Sequence, residues 1–170
     1  IRLLKDIPNL EYLGVDYDLD IIEYAKENFG DIPGVSFIHA NINDFELKDY
    51  DTIIAFEFLE HIDNGREIEQ KLKSHCKCLL ATTPQKELPI KQASHHKIYE
   101  ITKNDFPDFE YLYMNYEGEL SNKPYDKIIN LMLMKWEKTN NNIQKQEIKN
   151  PTNDINITAI ISTKDRYFDT

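Results

Sequence analysis

Cysteine is nearly absent from these 170 residues: Cys76 and Cys78 are the two present. They are too few for a disulfide framework, and no second pair completes a zinc site, so no metal centre is read from the sequence. Glycine is also scarce, five in all, and none of them builds a glycine-rich loop. Basic residues are outnumbered, 20 against 30 acids, for a formal charge of -10. Binding to a phosphate backbone depends on Lys and Arg, so nucleic acid is not expected as a partner. No apolar run approaches the roughly 20 residues of a membrane span, and the opening residues lack the charged-then-apolar order of a secretory leader. Membrane spanning and secretion are set aside, and a reducing cytoplasm is the expected compartment.

What is present is an alternation of apolar runs and amphipathic stretches. The length suits one core of ordinary size and the edge of a second unit. Ile1, Leu3, Leu4 and Ile7 resemble the apolar face of a helix ended by Pro8 and Asn9. Tyr12 to Val15 is a buried strand ending in Asp16, and Asp18 or Asp20 can cap a helix carrying Ile21, Ala25 and Phe29. An acid at a strand's carboxyl end, just before a helix, is how an open α/β sheet sets a carboxylate over ribose hydroxyls. Val35 to Ile38 makes a second strand and Asp51 to Phe56 a third, dense enough in apolar residues for a sheet covered on both faces. Asn64 and Glu67 are spaced as a capping box for a helix whose buried stripe is Ile68, Leu72 and Cys76. Cys78 to Thr82 is a further strand, stopped by Pro84. The order predicts a parallel sheet with right-handed crossovers.

After Pro84 the rhythm breaks. Gln85 to Tyr99 is polar, holds His95 and His96, and reads as an active-site loop. Thr102 can cap a helical turn over Lys103 to Phe106, and Phe109 to Tyr116 with Asn130 to Trp136 predict an antiparallel pair at the sheet edge. Residues 139–154 have linker composition, and Ile155 to Ser162 returns to a strand pattern.

Gly14-Val15-Asp16-Tyr17-Asp18 resembles the ribose-binding strand end of class I S-adenosylmethionine-dependent methyltransferases. Tyr50 to Ile62, with its Leu59-Glu60-His61 ending, is similar to a later strand of the same family. The resemblance implies a Rossmann-like, doubly wound, mostly parallel sheet with a reversed C-terminal strand pair, lacking its first strand and the glycine-rich loop. A partial methyltransferase domain is thus expected over 1–138. A segment without that loop is expected to bind cofactor weakly on its own.

The resemblance also implies roles. Asp16 would bind the ribose hydroxyls of S-adenosyl-L-methionine and Tyr17 would lie against adenine. Asn41 stands where the family has an acid facing the adenine amino group, with Asp44 as substitute, and Ile42 would add an apolar wall. Phe56 and Glu57 would face the sulfonium side. Methyl transfer mainly needs an acceptor aligned with the methyl–sulfur bond, and a hydroxyl acceptor gains from a nearby base. His96, His95 and His61 are the candidates, with His96 the first choice. Ile157 to Arg166 is similar to the opening strand and turn of a family 2 glycosyltransferase, so 155–170 is expected to begin such a domain and the acceptor to be a small molecule, sugar or glycan intermediate. A non-catalytic scaffold attached to that unit is the alternative, and a nicotinamide-dependent dehydrogenase a weaker one.

Overall fold

A computed structural model describes residues 4, 6–85, 96–125 and 130–139, and the backbone of Asn156–Ile161. Within these, β1 (Glu11–Asp16) leads through α1 (Leu19–Phe29) to β2 (Val35–His39), and β3 (Tyr50–Phe56) leads through a 3₁₀ turn (Leu59–His61) and α2 (Gly65–Ser74) to β4 (Cys76–Gln85). β5 (Glu110–Met114), β6 (Leu120–Ser121), β7 (Asn130–Glu137) and β8 (Asn156–Ile161) follow. All pair into one sheet of order β2-β1-β8-β3-β4-β7-β5-β6. β2, β1, β8, β3 and β4 are mutually parallel, whereas β7 runs antiparallel to both β4 and β5. This is the expected mixed α/β sheet with a reversed strand near its end.

The local chemistry explains the elements. Asp18 caps α1 through its side chain, which accepts from Asp20 N–H, and Ile22 is the helix residue driven furthest into the core at 2% exposure. One crossover steps from β1 outward to β2 and the other from β3 the opposite way to β4, so right-handed connections put α1 and α2 on opposite faces. Two cores result. Ile53 and Ala55 of β3 join Ile68, Leu72, Leu79, Phe106 and Met132 in one, while Ile54 packs against the other, built on Leu10, Tyr12, Ile22 and Phe37. Alternation along a single strand thus serves both layers. Gly34 enters β2 at φ +78°, and a Cβ there would run into the Leu10 carbonyl oxygen, so only glycine fits the turn.

Several expectations are corrected. Pro84 does not stop β4, which continues to Gln85; beyond Thr82 the strand pairs, among the described residues, only with β7, so a residue without an N–H is tolerated. Asn64 is the N-cap of α2 but makes no capping bond; its amide donates to Asn43 Oδ1 at 2.9 Å. Leu4 and Asp6 lie in turns rather than a helix, whereas Lys103 to Phe106 forms the expected turn, with Thr102 Oγ1 accepting from Asn104 N–H at 3.3 Å and the Thr102 carbonyl accepting from Asp105 N–H at 3.0 Å. The antiparallel pair forms, but β7 inserts between β4 and β5 and leaves β6 at the edge. Asn156–Ile161, read from the sequence as the opening of a second unit, runs in this same sheet between β1 and β3. Most of the linker segment and residues 86–95, with His95, lie outside the described residues.

Candidate active site

The carboxyl ends of β1 and β3 set the frame. Val15 of β1 and Ala55 of β3 are both in register with Ile160 of β8. Asp16 and Phe56, each one residue further, therefore stand level at the same edge of the sheet, two strand spacings or roughly 10 Å apart.

Asp16 is buried, at 4% exposure, and its Oδ1 accepts from Asp18 N–H at 2.8 Å across the strand-to-helix turn. Its carbonyl accepts from Ala40 N–H at 2.8 Å, fixing β1 to the end of β2. Tyr17 follows, half exposed, with its carbonyl accepting from His39 Nε2 at 2.8 Å. The Asn41 side chain forms an Asx turn, Oδ1 accepting from Asn43 N–H at 3.0 Å, and Asn41 itself is exposed. Ile42 is buried in the main core, and Lys71 of α2 pins the loop by donating to the carbonyls of Ile42, Asn43 and Phe45. Asp16, Tyr17 and the Asn41 turn thus share the β1–β2 side of the edge, with Asp44 exposed just beyond.

At the tip of β3, Phe56 is exposed and Glu57 adopts φ +48°, a left-handed conformation rare for a residue with a side chain. Its N–H donates to both the carbonyl and the hydroxyl of buried Thr82, at 3.1 and 2.9 Å. That fork turns the chain out of the sheet and into the 3₁₀ turn. Sequence reasoning passed over Thr82; its position at the end of a strand beside β3 was the available signal.

The turn carries Glu60 inward, to 0% exposure, and leaves His61 partly exposed. His96 returns to this point from the far side of the loop. Lys97 N–H and Ile98 N–H both donate to the Glu60 carbonyl, at 2.7 and 3.1 Å. The rings of His61 and His96 meet edge to face with centroids 4.6 Å apart. The structure therefore brings together two of the three candidate histidines and adds Glu60, which the sequence showed only within the Leu59-Glu60-His61 ending that follows a strand. The cysteines are structural: burial pushes the Cys76 thiol up to about 12 and raises that of Cys78. A cavity of about 400 Å³ lined by Phe56, Leu80, Leu112 and Leu133 opens on the sheet face, touching this edge only at Phe56 and Thr82.

Comparisons with known proteins bear on the fold that carries these residues. Residues 1–80 match a family model described as a methyltransferase domain. Among curated proteins no sequence matches. The fold is similar to that of the plantazolicin methyltransferase BpumL, solved with a pentazolic desmethylPZN analog and SAH, at TM-score 0.53 and 14% identity over 80% of this chain and 71% of that one. It is similar also to a chain of the Pnkp1/Rnl/Hen1 RNA repair complex, at TM-score 0.50 and 16% identity over 78% of this chain and 34% of that one. WbdD, solved with the kinase inhibitor LY294002, aligns at TM-score 0.49 and 16% identity over 72% of this chain, which spans 30% of WbdD. No helix among the described residues is long and apolar enough to cross a membrane. The first 80 residues match a methyltransferase domain, the sheet has the fold of class I methyltransferases, and together these findings support S-adenosyl-L-methionine as the cofactor.

Proposed function

We propose that the chain transfers a methyl group from S-adenosylmethionine to a small molecule, with a sugar or glycan intermediate as the favoured acceptor class. The observation that carries this reading is buried Asp16 at the carboxyl end of β1, level with Phe56 across the sheet. Asp16 accepts from the ribose hydroxyls in charge-assisted bonds, Tyr17 lies against adenine, and Asn41 with Ile42 borders the adenine edge. Phe56 and Glu57 face the sulfonium. The enzyme's main task is alignment of acceptor, methyl carbon and sulfur. His96 and His61, paired beside the tip of β3, stand where an acceptor proton would leave. The surplus of acids supports an uncharged or cationic acceptor over a nucleic acid, and two cysteines, too few for a disulfide framework, support a reducing cytoplasm as the compartment.

Calorimetric titration with S-adenosylhomocysteine tests it. Weak but saturable binding is expected of this segment, reduced roughly a further hundredfold, to below detection, by Asp16→Ala, since losing a charge-assisted pair of hydrogen bonds costs about 3 kcal/mol or more. A folded chain that binds nothing, or binds equally well without the carboxylate, would favour a non-catalytic scaffold.

A further inference from the structure

We propose that Glu60, His61 and His96 bind a divalent transition-metal ion at the acceptor side of this edge. One ligating atom from each of the three lies within 4.8 Å of the other two. Ligands around a single ion at about 2.0–2.2 Å are separated by roughly 3–4.4 Å, so small side-chain rotations suffice to close the set. The placement comes from the backbone. Glu60 and His61 are adjacent in the 3₁₀ turn at the tip of β3, and His96 is delivered by the two bonds from Lys97 and Ile98 N–H to the Glu60 carbonyl. Ile98 also packs against Gly65, where an added Cβ would lie 3.0 Å from its Cδ1. The segment behind His96 is thereby fastened to the start of α2.

The donor set selects the ion. Two imidazoles and one carboxylate suit zinc, manganese, iron or cobalt, whereas magnesium and calcium prefer oxygen alone. Three protein ligands leave positions open, the pattern of sites where an ion meets substrate rather than of closed structural sites. Glu60 comes from the turn directly after Phe56 and Glu57, so the open positions adjoin the sulfonium side of the edge. Acceptors carrying a coordinating oxygen, such as adjacent hydroxyls, are the class this arrangement favours. With the ion bound, His61 and His96 are its ligands and position the acceptor, and the proton-accepting role belongs to the ion-free pair. That last step rests on the methyltransferase reading; ion binding itself does not.

The test uses the full chain, stripped by chelator and titrated without S-adenosyl compounds: cobalt(II) followed by its visible absorption, then zinc(II) by calorimetry. About one ion per chain is expected, with affinity reduced roughly tenfold or more in His96→Ala and in His61→Ala. His75→Ala, remote on the end of α2, should bind as the parent does. Both histidine variants remove partly exposed side chains, so folding, checked by circular dichroism, is expected to survive, whereas Glu60→Gln alters a fully buried group. A folded chain with no stoichiometric ion, or one whose affinity is unchanged in both histidine variants, overturns the proposal. Homocysteine-compound binding that persists in either case leaves the cofactor assignment standing, and its loss alongside intact ion binding removes only the link to methyl transfer.

Discussion

Glu69 and Lys73 lie one turn apart on α2, both inside the protein at 2% and 7% exposure, and form an ion pair. The Lys73 ammonium also stands 4.2 Å from the Phe109 ring centre and 5.4 Å from that of Trp136. Two charges out of water are tolerated because each is the other's counter-ion and aromatic faces complete the cation's surroundings. Removing one partner is therefore the damaging change. Glu69→Ala should cost about 3–5 kcal/mol in a urea titration by stranding the cation, whereas Glu69→Leu combined with Lys73→Met should cost much less. A double mutant as unstable as the single one would show that the pair is not what the site depends on. At this same scale the sequence misled where a polar side chain had two credible partners. Asn64 had the spacing of a cap, yet it makes no capping bond and its amide donates to Asn43. That choice depends on what lies across the fold, which local spacing does not encode.

Among the elements, β1 and β2 are held at close approach by Gly14. A Cβ added there would lie 2.5 Å from Phe37 Cδ1, and the Phe37 ring is itself fixed edge to face against Tyr12 at 6.0 Å. Gly14→Ala should destabilise by about 1–3 kcal/mol through overpacking, and Phe37→Leu in the same chain should recover part of that loss. Thermal melts of the three variants decide it; an alanine that is neutral alone would mean the ring can yield. The strand–helix alternation up to β4 was legible because apolar runs and four-residue periodicity report burial directly. The end of β4 was not. Pro84 signals termination only if both flanks need hydrogen bonds, and here, among the described residues, one flank is bare beyond Thr82. Similarly, β5 and β7 read as a pair, but nothing in their own residues says that β7 would enter between β4 and β5.

For the molecule as a whole, burial sets a response to alkali. The Cys76 thiol is pushed up from 9.0 to about 12 and the Tyr12 phenol from 10.0 to about 12, both by burial, and Tyr111 shifts the same way. The folded chain keeps protons that the unfolded chain releases, so stability is intact below pH 9 and declines as pH rises towards 12. Melting temperature should fall steeply over that window, and a Cys76→Ala, Tyr12→Phe chain should show a shallower slope whatever its absolute stability. An unchanged slope would assign the alkaline loss to other groups. The site too is a whole-molecule property. Asp16 was readable from seven consecutive residues, whereas Glu60, His61 and His96 meet only because a chain segment 35 positions further on folds back to the Glu60 carbonyl.

The position of β8 governs how such a molecule is made. It is the hydrogen-bonded neighbour of both β1 and β3, and among the described residues no other strand joins them. Residue 156 follows the end of β4 by about 70 positions, roughly 4–14 s at ribosomal speeds. A strand that enters the middle of a sheet so late comes to edges that any earlier partner must first give up, which makes its pairing a slow step in assembly.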